Sequence, residues 1–307
     1  MLQRAVRFQP VEKLTMAFAG LLVTAGLFFW SRVEGHHSIL LIAFAGSVPV
    51  VVSYARRRWP GAPRPVVVAL DFHIVVPILV IFDNLGPLIR AVHPVDRDGW
   101  LVAADRLLLG TDAGTFLQPI TSPLLGDLLT VFYALFFFHP LVLAALVYAD
   151  DLRELGRPGP RFARFGFLVV LTFYVSYSGY FAVPAEGPRY ALTFSTPVVR
   201  GAVGQTIDDA LAGAESNKRD VFPSGHTMVV TVVLVEAARR SRWTFLGFLL
   251  FAVPLYVATV YGRYHYLVDV LAGFALTPFV LRAGEAWLRW REPQLYAPEG
   301  TGRQTSR

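Results

Sequence analysis

The chain has no cysteine. That excludes disulfides, thiolate catalysis and any cysteine-ligated metal, and it suits either side of a membrane. Charge is scarce as well. Asp, Glu, Lys and Arg make up 16% of the 307 residues, hydrophobic residues make up 54%, and the mean hydropathy is +0.49. A soluble domain of this length carries more charge and fewer apolar residues. Several apolar runs have no polar face at all, which argues against a soluble helical bundle. The runs are about 20 residues long, enough to cross a bilayer as a helix. Composition therefore predicts an all-α integral membrane protein. The net charge of +6 would suit nucleic acid, but most basic residues flank apolar runs. Membrane topology accounts for them, and no nucleic-acid partner is expected. No internal repeat is visible. The first apolar run is too long for a cleavable signal and lacks a small-residue cleavage site.

The runs predict eight spans, near 14–30, 39–54, 66–89, 124–148, 165–183, 224–238, 243–260 and 264–288. Trp100 to Gly110 is too broken to span and reads as an amphipathic helix at the interface. Three parts follow: N-terminal spans with the interfacial segment over 1–123, a catalytic membrane core over 124–291, and a polar tail over 292–307 that is expected to be disordered. The third span holds Asp71, His73, Pro77 and Asp83. Carboxylates inside a span are costly and are expected to bond neighbouring helices. His139-Pro140 predicts a kink in the fourth span. Of the 28 Lys and Arg, 19 fall on the even-numbered loops and the two tails. The positive-inside rule then puts both termini in the cytoplasm and the opposite loops on the outer face, in a plasma or inner membrane.

Three polar islands fall at outer ends of spans. The first is Phe222-Pro223-Ser224-Gly225-His226-Thr227. Pro223 suits the first turn of a helix, Ser224 suits its cap, and Gly225 lets a ligand approach the backbone. A helix N-terminus favours an anion, and His226 can exchange a proton near neutral pH. The second island is Tyr261 to Asp269, with His265 and Asp269 four residues apart and so on one helical face. A carboxylate there can fix the imidazole tautomer and stabilise its charged form. The third supplies Arg189 at one end of a polar loop and Lys218 and Arg219 at the other. Together these are the parts for phosphoryl transfer through a phosphohistidine. One imidazole attacks phosphorus, the other protonates the leaving oxygen, and cations with backbone N–H groups hold the phosphoryl oxygens. Two histidines and one aspartate also suit a metal, but acidic ligands are sparse and the arginines would repel a cation. No metal or other cofactor is expected.

Pro223-Ser224-Gly225-His226, followed by His265 and Asp269, resembles the type 2 phosphatidic acid phosphatase superfamily of membrane lipid phosphatases and phosphotransferases. The resemblance makes His265 the nucleophile, Asp269 its orienting acid and His226 the general acid. Arg189, Lys218, Ser224, Gly225 and Arg263 become the phosphate-binding set. It also departs from the pattern. Tyr190 follows Arg189 where proline is usual, Ala182 stands at a lysine position, and Ala258-Thr259 stand where Ser-Arg is usual. Arg263 would replace the missing arginine, and Lys218 or Arg219 the lysine. The altered pattern, with Asp105 to Gly110 ahead of an aromatic span, is similar to the inositol phosphorylceramide synthase-like branch.

The resemblance implies a lipid phosphatase acting on a phosphorylated lipid. A phosphotransferase that hands a phospho-head group to an alcohol is the alternative. A third reading, from the residues alone, is a transporter or scaffold with a degenerate site, its pathway lined by Asp71 and Asp83.

Overall fold

The computed structural model describes residues 8–214 and 216–296. Most of the expected polar tail over 292–307, the part after Tyr296, therefore lies outside the described residues, as does the start of the basic N-terminal segment. The described residues contain helices and no strand. In chain order these are α1 (Pro10–Phe28), α2 (His37–Arg58), α3 (Arg64–Asp71), α4 (Val75–Asp83), α5 (Leu85–Val92), α6 (Asp98–Leu109), α7 (Ala113–Phe116) and α8 (Pro123–Ala134). They continue as α9 (Phe138–Leu155), α10 (Pro160–Ala182), α11 (Pro188–Ala191), α12 (Ala202–Ala214), α13 (Gly225–Arg240), α14 (Arg242–Tyr261) and α15 (Leu267–Arg291). The protein is an all-α membrane bundle.

Six helical segments are long and apolar enough to cross a membrane: α1, α2, α8 with α9, α10, α14 and α15. The pair α3 and α4, bent by 44°, would make a seventh. The sixth of the eight expected spans is α13, and it has 16 residues. That is about a turn short of the usual crossing length. The shortfall has a physical reason. Ser224, Gly225 and Thr227 are already buried, so α13 starts inside the bundle, not at its rim. The bend near Phe72–Ile74 is closed locally by His73, whose Nδ1 lies 2.8 Å from the Leu70 carbonyl.

The break at His139-Pro140 comes earlier than expected. The chain tightens into a 3₁₀ turn at Leu135–Phe137, and Pro140 falls in the first turn of α9, where its missing N–H has no intrahelical partner to lose. Serine caps start three of the helices: Ser122, Ser224 and Ser241 accept from the Leu125, Thr227 and Thr244 N–H groups.

The two ends of the bundle are tied by separate sets of ion pairs. At the end bearing the N-terminus, Lys13 pairs with Glu292, Arg56 with Glu12 and Asp71, and Arg164 with Glu236 and Glu285. Asp71 also accepts from the Tyr148 hydroxyl at 2.9 Å, so it bonds neighbouring helices as its position in a span requires.

At the other end the carboxylates bind main chain. The inner face of α6 carries the half-buried Asp98 and the fully buried Asp105, while Trp100 and Leu107 on its other side are exposed. Asp98 accepts from the Glu186 and Gly187 N–H groups and from the Tyr266 hydroxyl. Asp105 accepts from Leu267 and Val268 N–H at 3.0 and 2.9 Å, capping α15 from a distant helix. Those are donors that a helix start leaves without intrahelical partners. Asp105→Ala should therefore cost about 1–3 kcal/mol, read as a lower melting temperature in detergent. An unchanged melt would show that the cap contributes nothing.

Candidate active site

Asp269 fixes the position of the second island. Its carboxylate Oδ2 accepts from the Tyr266 N–H at 2.8 Å, and its main-chain carbonyl accepts from the Ser224 N–H at 3.1 Å. The first turn of α15 is thereby joined to the start of α13. The turn between α14 and α15 is held by the Thr259 carbonyl, which accepts from both Tyr264 and His265 N–H at 3.0 Å. The approach of α10 to α13 is set by Gly225. A Cβ there would lie 2.7 Å from the Tyr180 hydroxyl and 3.0 Å from Ser176 Oγ, so this position has no room for a side chain.

His226 and His265 meet. His226 Nδ1 is 3.2 Å from His265 Nε2, and His265 Nδ1 is 3.6 Å from Asp269 Oδ2. A proton on His265 Nδ1, facing the carboxylate, leaves the lone pair on Nε2 facing His226. The His226 ring is packed between Tyr133 and Phe136, with centroids 4.8 and 4.3 Å away. Its position is set by aromatic walls as well as by its helix.

These groups open on a cavity of about 250 Å³ whose lining includes Tyr133, Arg189, Asp220, Gly225, His226 and Tyr264. A small adjoining space of about 20 Å³ is lined by His265, Arg189, Lys218 and Glu186. Arg189 borders both. Its guanidinium makes a two-pronged pair with Asp208, at 2.9 and 2.6 Å. Asp208 also accepts from the Tyr264 hydroxyl at 2.5 Å and lies 3.4 Å from Arg200. Burial alone would raise the Asp208 pKa. The bonds from Arg189 and Tyr264 and the charge of Arg200 outweigh this and hold it below its usual value.

The remaining site candidates are placed as follows. Lys218 is exposed and sits 4.8 Å over the Tyr190 ring, at the edge of the small space. Arg219 is paired with Asp96 on both prongs. Arg263 has a positive φ of 61°, and its guanidinium lies 3.6 Å over the Phe194 ring. Its main chain faces the site instead, since the Arg263 carbonyl accepts from the Arg189 N–H at 3.0 Å. The Ser224 N–H is taken by Asp269, while Gly225 and His226 N–H lie in the first helical turn and have no intrahelical acceptor. Among the described residues no group of three or more His, Asp or Glu could hold a metal ion.

Sequence patterning missed Asp208, Arg200 and Tyr133. Asp208 lies on α12, inside a stretch that reads as a polar loop, and it is buried. The apolar spacing of Val203, Ile207 and Leu211 was the available signal.

A family model described as the PAP2 superfamily matches residues 99–282, more than half of the chain. The phosphoinositol dihydroceramide synthase of Bacteroides thetaiotaomicron is 24% identical over 206 residues, covering 60% of this chain and 65% of that protein. A PA-phosphatase related-family protein of Dictyostelium discoideum is 30% identical over 126 residues, covering 38% of this chain and 22% of that protein. The chain thus spans less than two thirds of the length of either relative. No solved structure matches it.

A carboxylate with a depressed folded pKa stabilises the fold above its unfolded value, and that contribution is lost as pH falls through the folded value. Melting temperature should therefore drop as pH is taken below the ordinary 3.8 of aspartate. Asp208→Asn should be less stable at neutral pH and should show a shallower acid loss. Parallel curves for the two proteins would remove Asp208 from this role.

Proposed function

The chain belongs to the PAP2 superfamily, and from that premise we propose that it is an integral-membrane enzyme acting on a phosphorylated lipid through a phosphohistidine on His265. The observation that carries this reading is the line His226–His265–Asp269, with contacts of 3.2 and 3.6 Å, beside a cavity bordered by Arg189. The substrate phosphate parts the two rings. His265 Nε2 attacks phosphorus, the bond from phosphorus to the leaving oxygen breaks, and protonated His226 gives that oxygen its proton. Asp269 stabilises the imidazolium formed on His265. Arg189, Lys218 and the Gly225 and His226 N–H groups hold the equatorial oxygens. Arg263 supports the clamp through its carbonyl. In the second step neutral His226 takes a proton from the acceptor. The acceptor oxygen bonds phosphorus, and the N–P bond breaks.

With water as acceptor the enzyme is a lipid phosphatase. With an alcohol it is a phosphotransferase. The second fate is favoured by two observations: the likeness to a protein named as a phosphoinositol dihydroceramide synthase, and the walls of Phe82, Phe136, Phe137 and Phe173 that would keep water scarce. The site lies at the end opposite the basic loops, so it would face the outer leaflet of a plasma or inner membrane.

His265→Ala and His226→Ala should each lower turnover of a labelled phospholipid at least about a hundredfold, with chelators present throughout. Full activity in both variants would end this reading. Running the wild type with and without an acceptor alcohol separates the fates: free phosphate marks hydrolysis, and a new phosphorylated alcohol marks transfer.

A further inference from the structure

A second and almost wholly apolar cavity, of about 330 Å³, lies between α3–α4, α9 and α10. It is lined by Phe72, Ile74, Ala144, Phe162, Gly166 and Val169 among others. It adjoins the catalytic cavity, and Ile78, Leu79, Phe137 and Phe173 line both. The break between α3 and α4 lies on its wall at Phe72 and Ile74. Where the two cavities meet, Leu79 and Phe137 are 41% and 44% exposed, on the outer surface of the bundle. At the far end stands Asp71, held by the Tyr148 hydroxyl and Arg56. Along α10 the apolar cavity runs from Phe162 to Phe173, about 16 Å at the rise of an α-helix.

We propose that this cavity holds one hydrocarbon tail of the lipid whose phosphate meets His265, entering sideways past Leu79 and Phe137 and stopping at the Asp71–Tyr148 plug. This rests on the lipid substrate of the proposed function and extends it to tail length. The polar plug sets the limit, because a longer chain would have to strip the hydrogen bonds from a buried carboxylate. From Tyr180, beside the start of α13, to Phe162 the two cavities follow 18 residues of α10, about 27 Å, so a tail longer than that does not fit and a shorter one leaves apolar wall uncovered.

Gly166 gives a direct test. A Cβ there meets nothing within 4 Å, so Gly166→Ala is tolerated and Gly166→Phe projects into the cavity. Ala144→Phe fills it from the α9 wall, in case the first variant fails to fold. The probe is a phospholipid with a photoreactive diazirine at the end of one acyl chain, made in long and short versions. It is mixed with the full chain in vesicles, irradiated and mapped by peptide. With the long probe, label should fall on 72–79 and 162–170. Gly166→Phe or Ala144→Phe should cut that label about tenfold and leave short-probe labelling near 173–180 intact. The idea is overturned by label on the α9–α14 face around Phe248 and Phe251, which line a separate cavity. It is equally overturned by undiminished long-probe label in a folded Phe variant. Labelling needs no turnover, so it judges the cavity even where the catalytic role of His265 fails.

Discussion

A buried aspartate, Asp269, is the piece on which the site depends. It serves three neighbours at once: the Ser224 N–H through its carbonyl, the Tyr266 N–H through Oδ2, and the His265 ring across 3.6 Å. The first bond joins α13 to α15, and the second starts α15. The third orients the imidazole. A carboxylate this deep is costly to bury unless its oxygens are matched by donors. Here Oδ2 serves helix initiation by a hydrogen bond and faces the His265 ring at ion-pair range, while Oδ1 has no hydrogen-bond partner. Disturbing either one would also disturb the other.

The same economy recurs around it. Asp98 and Asp105 on α6 spend their charge on main-chain N–H groups of the 186–187 turn and the α15 start. Asp208 spends its charge on Arg189 and on the Tyr264 hydroxyl. These acids build no ion-binding cluster. They fasten irregular backbone inside an apolar bundle, where an unsatisfied amide has no water to turn to. The site is therefore assembled from loops and helix starts that three separate elements hold rigid.

Much of this is visible in the chain before folding, and the rest is hidden for definite reasons. The helical membrane class follows from extreme composition and run length. Pro223-Ser224-Gly225-His226 and the His265/Asp269 pair are local patterns, so spacing exposes them. The number of crossings is not local. Whether the 16 residues of α13 span depends on how deep they start, and the α3–α4 bend depends on a cap at His73. The partners of Arg189 are hidden in the same way. Asp208 reaches it across an irregular stretch, and nothing in the spacing of the two reveals the contact. Arg263 shows the limit most plainly. It stands two residues before His265, yet a left-handed backbone turns its side chain towards Phe194 and leaves its carbonyl to Arg189.

The contact between the two imidazoles has one more consequence. At 3.2 Å, a proton on His226 Nδ1 would be directed at the Nε2 lone pair through which His265 is proposed to attack. Under the proposed mechanism the resting nucleophile would then be sheathed by its own acid partner, and small electrophiles reaching the cavity would find no bare imidazole. Only a ligand able to wedge the rings apart, and to accept from the His226 proton with its own oxygens, would expose that nitrogen. Selectivity would then be exercised before any chemistry, as an admission requirement set by the distance between two rings.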